Sequence, residues 1–349
     1  MVRARWRALT GGRRVRDADR ATVLACSGGA DSSALVLALA GARARLVVAH
    51  VEHDLRPPDQ TEKDAEATGD LAARCGLEFV RTRVRARGGR GNAESVARRE
   101  RYRVLARVAA ERGCVFVATG HHADDQAETV VMRLLRGAGP GALAGMAETR
   151  GLAGEDRSPG AQLIRPMLGA RGVDARAFCV DRGWAWREDA TNADVSRVRA
   201  RLRAEVMPVL WELSPELAER VAVSARVLRD AGGLLVERAE SVRARGRCAP
   251  EAGGASGVVL RRAVLSVERL SVIGQVLRAS HDELAPGRGA DARSGGLALS
   301  IARVIAGTGT DPKAFDFGAC RVVVTSREVR IEPKGSADAQ VDEFGLDGA

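Results

Sequence analysis

The sequence predicts an α/β chain: a doubly wound, mostly parallel sheet, then a helical segment, then a small α+β C-terminal module. Three observations carry this. Short apolar β-capable runs alternate with longer helical patterns through about the first two hundred residues, the signature of right-handed βαβ units. A glycine turn follows the first apolar run directly. Beyond Gly253 the pattern changes character.

Taken in order, strands are expected at Thr22–Cys26, Arg45–Val51, Leu77–Val84 and Cys114–Thr119. Helices are expected at Ser32–Ala42, Glu62–Cys75, Glu94–Arg112 and Ala123–Arg136. Gly137–Gly141 is a breaker cluster, Gly151–Gly160 a Gly-rich linker and Gln162–Pro166 extended. Helix resumes at Val173, breaks at Arg187–Asp194 and continues past Pro215 to about Arg245. The tail offers a helix over Leu260–Ala279, a Gly-rich patch and a strand pair within Cys320–Glu332. Domains are accordingly expected at 1–205, 206–250 and 251–349. In such sheets ligands bind beyond the carboxyl ends of the strands. Ser27, His50–Arg56 and Gly120–Asp125 all follow strand ends and share that rim.

The chain has 349 residues and a net charge of +10, with Lys63, Lys313 and Lys334 as its only lysines. Such a balance favours a polyanionic partner, although an Arg- and Ala-rich composition also marks a GC-rich genome. Aromatic residues are scarce and Tyr102 is the single tyrosine, so the core must rest on Leu, Val and Ala. The six cysteines, Cys26, Cys75, Cys114, Cys179, Cys248 and Cys320, form no C-x-x-C pair. Neither a zinc knuckle nor a dithiol redox motif is spelled out, and buried free thiols are expected. Arg13-Arg14 before the apolar run 21–42 imitates a twin-arginine export signal, but Asp31 interrupts that run. No segment reaches the length of a membrane span. A cytoplasmic protein is expected.

The strongest local signal is Ser27-Gly28-Gly29-Ala30-Asp31-Ser32-Ser33, between an apolar strand and an Ala/Leu/Val-rich helix. Such a turn aims backbone N–H groups and the positive end of a helix at whatever lies above the strand, which suits phosphate. Asp31 adds a candidate magnesium ligand, and the two serines that follow it, Ser32 and Ser33, add hydroxyls. It lacks the lysine of G-x-x-x-x-G-K-[ST] and the third glycine of G-x-G-x-x-G. A glycine turn that only opens a helix would look the same.

Gly120-His121-His122-Ala123-Asp124-Asp125-Gln126-Ala127-Glu128-Thr129 places two histidines before an acidic helix start. Asp124, Asp125 and Glu128 share one face at three- and four-residue spacing. N-capping by Asp124 is the plain alternative. His53 and Arg56 follow the second strand, and Arg98, Arg101 and Tyr102 fall on one side of a helix, where a solvated basic face is the plain account. Glu188 to Asp194 precede Arg197, Arg199, Arg201 and Arg203. At four-residue spacing Arg197/Arg201 and Arg199/Arg203 make two basic stripes suited to a phosphate backbone, and Arg81, Arg83, Arg85 and Arg87 extend that field.

In this fixed order the segments resemble the tRNA(Ile)-lysidine synthetase family of the PP-loop ATP pyrophosphatase superfamily. The carrying pieces are Ser27–Ser32, His50–Pro57, Glu94 through Arg98 to Tyr102, Gly120–Thr129 and Arg133–Gly137. Leu143–Met146, Arg165–Leu168 and Glu188–Asp194 complete the series. The resemblance covers about residues 20–220. Asp54 stands where the family usually has Gly, Met167 where it has Leu, and Ala200 where it has Asn.

The resemblance implies an adenine nucleotide alpha hydrolase-like domain, a tRNA-recognition tail, and ATP with Mg2+ as cofactors. It implies that ATP adenylates the C2 carbonyl oxygen of the wobble cytidine in an isoleucine tRNA with a CAU anticodon, and that free L-lysine then displaces AMP. Ser27, Gly28, Gly29, Ala30, Asp31 and Ser32 would hold the pyrophosphate, with Asp31 on its magnesium side. Lysine is only about one part in two thousand neutral at pH 7 if its pKa stays near 10.4. Asp125 and Glu128 are the candidates to bind and deprotonate it, with Asp124 beside them. His122 would stabilise charge on the adenylated oxygen. His53, Arg56, Arg98, Arg101, Arg199, Arg201 and Arg203 would meet tRNA or substrate. A homodimer is one expectation for its assembly. Three rivals stand beside this reading. They are a PP-loop tRNA thiolase, which needs positioned cysteines, a nucleotide-binding regulatory protein without catalysis, and a basic nucleic-acid-binding module.

Overall fold

The computed structural model describes residues 1–54, 58–84, 93–152, 160–187, 198–248, 257–285 and 294–334. The chain divides into two compact units, Met1–Val130 with Gly145–Val223, and Val131–Ala144 with Ser224–Ala349. The segment 206–250 is thus shared between them.

The first unit carries a six-stranded sheet among the described residues, in the order β3-β2-β1-β4-β6-β5. Its strands are β1 (Thr22–Ala25), β2 (Leu46–His53), β3 (Glu78–Val84), β4 (Phe116–Thr119), β5 (Thr149–Gly151) and β6 (Gln162–Ile164). All pairings are parallel except β5 with β6. The helices of this part of the chain are α1 (Val2–Leu9), α2 (Ala30–Leu39), α3 (Pro58–Arg74), α4 (Ala93–Glu111), α5 (Ala123–Leu135), α6 (Pro140–Leu143, within the second unit), α7 (Gly172–Asp181), α8 (Val198–Arg201) and α9 (Met207–Leu213). A π-helical turn, Leu202–Val206, joins α8 to α9.

Successive strand residues point to opposite faces, and both faces are covered. Leu24, Val48, Ala118 and Ile164 pack with Trp6, Leu35, Leu39, Leu71 and Cys179. Their neighbours Val23, Val47, Val117 and Leu163 pack with Leu105, Val108 and Ala109 of α4. Central strands buried on both sides therefore read as unbroken apolar runs. Strand order and helix placement give the expected doubly wound class.

Helix α1 lies outside the expected elements. Its Trp6 is fully buried and donates to Thr22 Oγ1 at 3.2 Å. Buried Arg20 stacks over that indole and donates to the carbonyls of Arg7, Thr10, Gly12 and Val15. The breaker cluster is partly helical: Pro140 at the first position of α6 supplies a φ already suited to a helix.

Among the described residues the second unit holds a five-stranded antiparallel sheet, order β7-β8-β11-β10-β9. Its strands are β7 (Arg247–Cys248), β8 (Val258–Arg261), β9 (Lys313–Phe317), β10 (Cys320–Val324) and β11 (Glu328–Pro333). Helix α10 (Leu217–Gly246) leads into it, and α11 (Arg262–Leu265), α12 (Leu270–Leu284) and α13 (Ser294–Ala306) complete the unit. The helix expected over Leu260–Ala279 is corrected. Val258 and Leu260 alternate inward as a strand on β11, and α12 begins only at Leu270. Helix α13 was hidden by its glycines and β9 by its polar outward residues.

Arg262 explains the corner between β8 and α12. It is 6% exposed and donates to the carbonyls of Val304, Ile305, Gly307, Gly309 and Thr325. Carbonyls at the end of α13 have no helical donors, and one guanidinium serves them. Arg262→Met is expected to cost about 3 kcal/mol or more, because buried acceptors are left without their partner. Urea unfolding followed by circular dichroism reads this; a loss below about 1 kcal/mol would remove Arg262 from that role.

The expected free thiols are present, with Cys26, Cys114, Cys179 and Cys320 buried. Cys75 and Cys248 are half-buried, which corrects the expectation of burial for those two. Among the described residues no helix is long and apolar enough to cross a membrane.

Candidate active site

The site forms at the carboxyl ends of β1 and β4, which are hydrogen-bonded neighbours. After β1 the chain turns through Gly28 at φ +88°, a backbone conformation that L side chains rarely adopt. Space is not the constraint at Gly28, where an added Cβ would meet the Asp64 carbonyl at 3.4 Å, an ordinary contact. Gly29 caps α2 without a side-chain bond, so the first amides of α2 keep their free donors. Ser32 braces the turn from within: its Oγ accepts the Ser27 N–H at 3.1 Å and donates to the Gly29 carbonyl at 3.0 Å. Ser27 Oγ stands 3.2 Å from it.

Two further glycines let neighbouring segments come close, one to the start of α2 and one to His122. A Cβ at Gly120 would fall 2.8 Å from the Asp31 carbonyl and 3.0 Å from the Ser32 nitrogen. A Cβ at Gly172 would fall 3.0 Å from the His122 ring. Gly120→Ala is therefore expected to push β4 away from α2 and to lower nucleotide affinity at least several-fold. Titration with a fluorescent ATP analogue tests this, and unchanged affinity would contradict the close approach.

His122 is the hub between the two strand ends. Its Nε2 faces Asp31 Oδ2 at 3.4 Å and Asp125 Oδ2 at 3.5 Å, while Nδ1 accepts the Asp124 N–H at 3.2 Å. Burial pushes its pKa down, but the hydrogen bond to Asp31 and the charges of Asp125, Asp31 and Asp124 outweigh it, so the net shift is upward. His121 is the opposite case. Burial and the charges of Arg165, Arg98, Arg101 and Arg199 hold it well below the ordinary range. The two adjacent histidines are thus pushed in opposite directions by their surroundings.

The carboxylates expected to work together divide by role. Asp124 is tied to α7: it accepts the Gly172 N–H at 2.8 Å and pairs with Arg171 Nε at 2.5 Å. Asp125 accepts the His122 N–H at 3.1 Å and pairs with Arg203 at 3.2 Å. Glu128 is nearly fully buried, with Arg203 Nε at 2.6 Å and Arg199 Nε at 3.2 Å. The Arg199/Arg203 stripe therefore does not lie free for a phosphate backbone, because the buried carboxylate of Glu128 draws both guanidiniums inward. Arg201 points elsewhere and pairs with Glu205. Arg81 and Arg83 are likewise bound, both to buried Glu52. Arg56, Arg85, Arg87, Arg197 and the stretch 188–194 lie outside the described residues, as does the side chain of His53.

Asp31 differs from its neighbours. Its side chain is 40% exposed, yet Oδ1 is buried and has no hydrogen-bond partner. An orphaned carboxylate oxygen beside free helix amides fits magnesium, which takes one or two carboxylates and completes its shell with phosphate oxygens and water. No group of three or more His, Cys, Asp or Glu among the described residues is arranged to hold a metal by itself. Sequence reasoning missed Arg171 and Arg150 and gave Arg165, quoted only as part of the Arg165–Leu168 piece, no role in the site; their partners come from distant segments.

Fold and site together define a doubly wound α/β domain with a glycine turn and uncapped helix amides at a strand–turn–helix. Residues 7–210 match the PP-loop domain family model, more than half of the chain, and the chain belongs to that family. It is 39% identical over 300 residues to the tRNA(Ile)-lysidine synthase of Deinococcus deserti, covering 81% of this chain and 53% of that relative. It is 39% identical over 249 residues to the tRNA(Ile)-lysidine synthase of Geobacter sulfurreducens, covering 69% of this chain and 50% of that relative. The chain spans about half the length of these curated relatives. Among solved structures it resembles the U34-tRNA thiolase NcsA from Methanococcus maripaludis with its [4Fe-4S] cluster, at TM-score 0.51 and 17% identity, over 66% of this chain and 78% of that one. That likeness concerns the fold alone.

Proposed function

We propose that this chain is an ATP-dependent RNA-modifying ligase that forms lysidine at the wobble cytidine of a tRNA(Ile) with a CAU anticodon. The observation that carries the reading is the meeting of two helix starts. The phosphate turn on α2 and the acidic start of α5 touch through Asp31, His122 and Asp125.

The chemistry follows from the geometry. A carbonyl oxygen is a poor leaving group until it is adenylated. The turn Ser27–Gly29 and the first amides of α2 hold the departing pyrophosphate. Asp31 is the residue that would hold a magnesium ion, which would there supply charge neutralisation on the pyrophosphate. His122, whose protonation three carboxylates favour, sits where negative charge must be balanced. The amine of lysine needs a carboxylate to bind its ammonium and to take its proton. Asp125 and Glu128 are suited to both, but guanidiniums occupy them in this structure. The ammonium must therefore take the place of Arg199 or Arg203, and those arginines turn to the RNA as it arrives. The flipped cytidine of a single-stranded anticodon loop can reach this rim.

The thiolase alternative needs an available thiol near the turn. Cys26 and Cys179 are the buried thiols closest to it in the fold, with Cys179 Sγ 3.5 Å from the Ala30 carbonyl. Burial, reinforced by Asp31, pushes Cys179 up to about 11, so it stays protonated. The reading is tested by product analysis with magnesium-ATP, lysine and the CAU tRNA. AMP and pyrophosphate are expected, dependent on both co-substrates; ADP as the product would overturn it.

A further inference from the structure

We infer that Tyr102 marks a second anion subsite, in which Arg150 and Arg165 join Arg98 and Arg101 to seat a phosphodiester of the RNA backbone beside the target nucleotide. Tyr102 is 6% exposed, and three guanidiniums stand over its ring, Arg98 and Arg101 at 5.5 Å and Arg150 at 5.0 Å. The fourth arginine is more informative. Arg165 is 4% exposed, donates to the Ala147 carbonyl, and leaves its buried Nε without a partner. Among the described residues no carboxylate lies within ion-pair distance of any of the four. Elsewhere in this unit the arginines at the rim are paired with Glu52, Asp124, Asp125 or Glu128.

Stacking on an aromatic ring does not cancel charge. Burying a guanidinium without a counter-ion is costly, and four together repel one another. The missing component is an anion. Its electrostatic trace is already visible: burial pushes the Tyr102 phenol up, yet Arg98, Arg101 and Arg165 outweigh it and leave it below the ordinary range.

Position selects the source of the phosphate. Arg165 directly follows β6, two strands from β1, about 10 Å across the sheet at the usual strand spacing. The ATP phosphates have their own turn at β1. His121, under the charge of Arg165, Arg98 and Arg101, lies between the two places. A nucleotide whose base enters at Asp31 and Asp125 carries flanking phosphates outward, toward Tyr102. Arg150 is exposed on the edge strand β5, where a loop can approach.

This subsite rests on the reading of the chain as an RNA-modifying enzyme, and the two can fail separately. The probes are an anticodon stem-loop RNA and magnesium-ATP, with Arg150→Ala and Arg150→Glu as surface variants that spare the core. Arg150→Ala is expected to weaken RNA binding several-fold and to flatten the slope of log K against log salt by about 0.7 for each single-strand phosphate that Arg150 neutralises. ATP affinity is expected to stay unchanged, and Arg150→Glu to weaken RNA binding further. Because Tyr102 is the single tyrosine, phenolate absorbance reports it alone, and bound RNA is expected to raise its titration midpoint. Unchanged RNA affinity in both variants would overturn the subsite. Weaker ATP binding in place of weaker RNA binding would also overturn it, by giving the cluster to the nucleotide. RNA binding that moves Tyr102 without any AMP release would leave the subsite standing and remove the proposed reaction.

Discussion

An Asp125→Asn variant is expected to lose lysine transfer by about 10²–10⁴-fold, the usual contribution of a positioned base, while ATP–pyrophosphate exchange with the tRNA present persists. The asymmetry follows from where the group stands. Asp125 contacts His122 and Arg203 on the α5 side of the site, and the phosphate turn lies on the α2 side. Glu128→Gln should behave alike with an added loss of stability, because Arg199 and Arg203 would then face a neutral amide. Circular dichroism separates the two effects. If both variants transfer lysine at the native rate, the amine is deprotonated elsewhere.

Asp31→Asn is expected to act one step earlier. It removes the charge from the carboxylate whose Oδ1 has no partner, and it weakens the contact that holds His122. AMP formation should fall by about 10²–10³-fold, the scale on which a preorganised electrostatic contact works. The magnesium dependence expected of the native chain should weaken in the variant as well. Retained magnesium dependence at an unchanged rate would show that the ion is held by other groups. Together the two substitutions are expected to separate activation from transfer, with Asp31→Asn slowing release of pyrophosphate and Asp125→Asn slowing consumption of lysine.

The parts legible in the sequence were those with local signals. Apolar runs such as Thr22–Ala25 and Leu46–Val51 announce strands buried on both faces, and Ser27-Gly28-Gly29 announces the turn that Gly28 makes at positive φ. The second unit was harder. Val258–Arg261 is too short to separate strand from helix by period, and only its pairing with β11 decides. In the site, residue types and order showed which side chains reach the rim, but not which of them neutralise one another. Four-residue spacing made Arg199 and Arg203 a stripe; the burial of Glu128, a tertiary fact, turned that stripe inward. Arg165 stood in the sequence only as the first residue of the Arg165–Leu168 piece, since its meaning in the site depends on Tyr102 and Arg150 arriving from other elements.

The most direct measurement of the central proposal is made on the RNA itself. The CAU tRNA is incubated with the chain, magnesium-ATP and labelled lysine, digested to nucleosides, and the wobble residue is identified by mass spectrometry. The expected result is cytidine carrying lysine through its amine at C2, on that tRNA and on no elongator methionine tRNA with the same anticodon triplet. An unmodified cytidine, or sulfur in place of the C2 oxygen, would contradict the account.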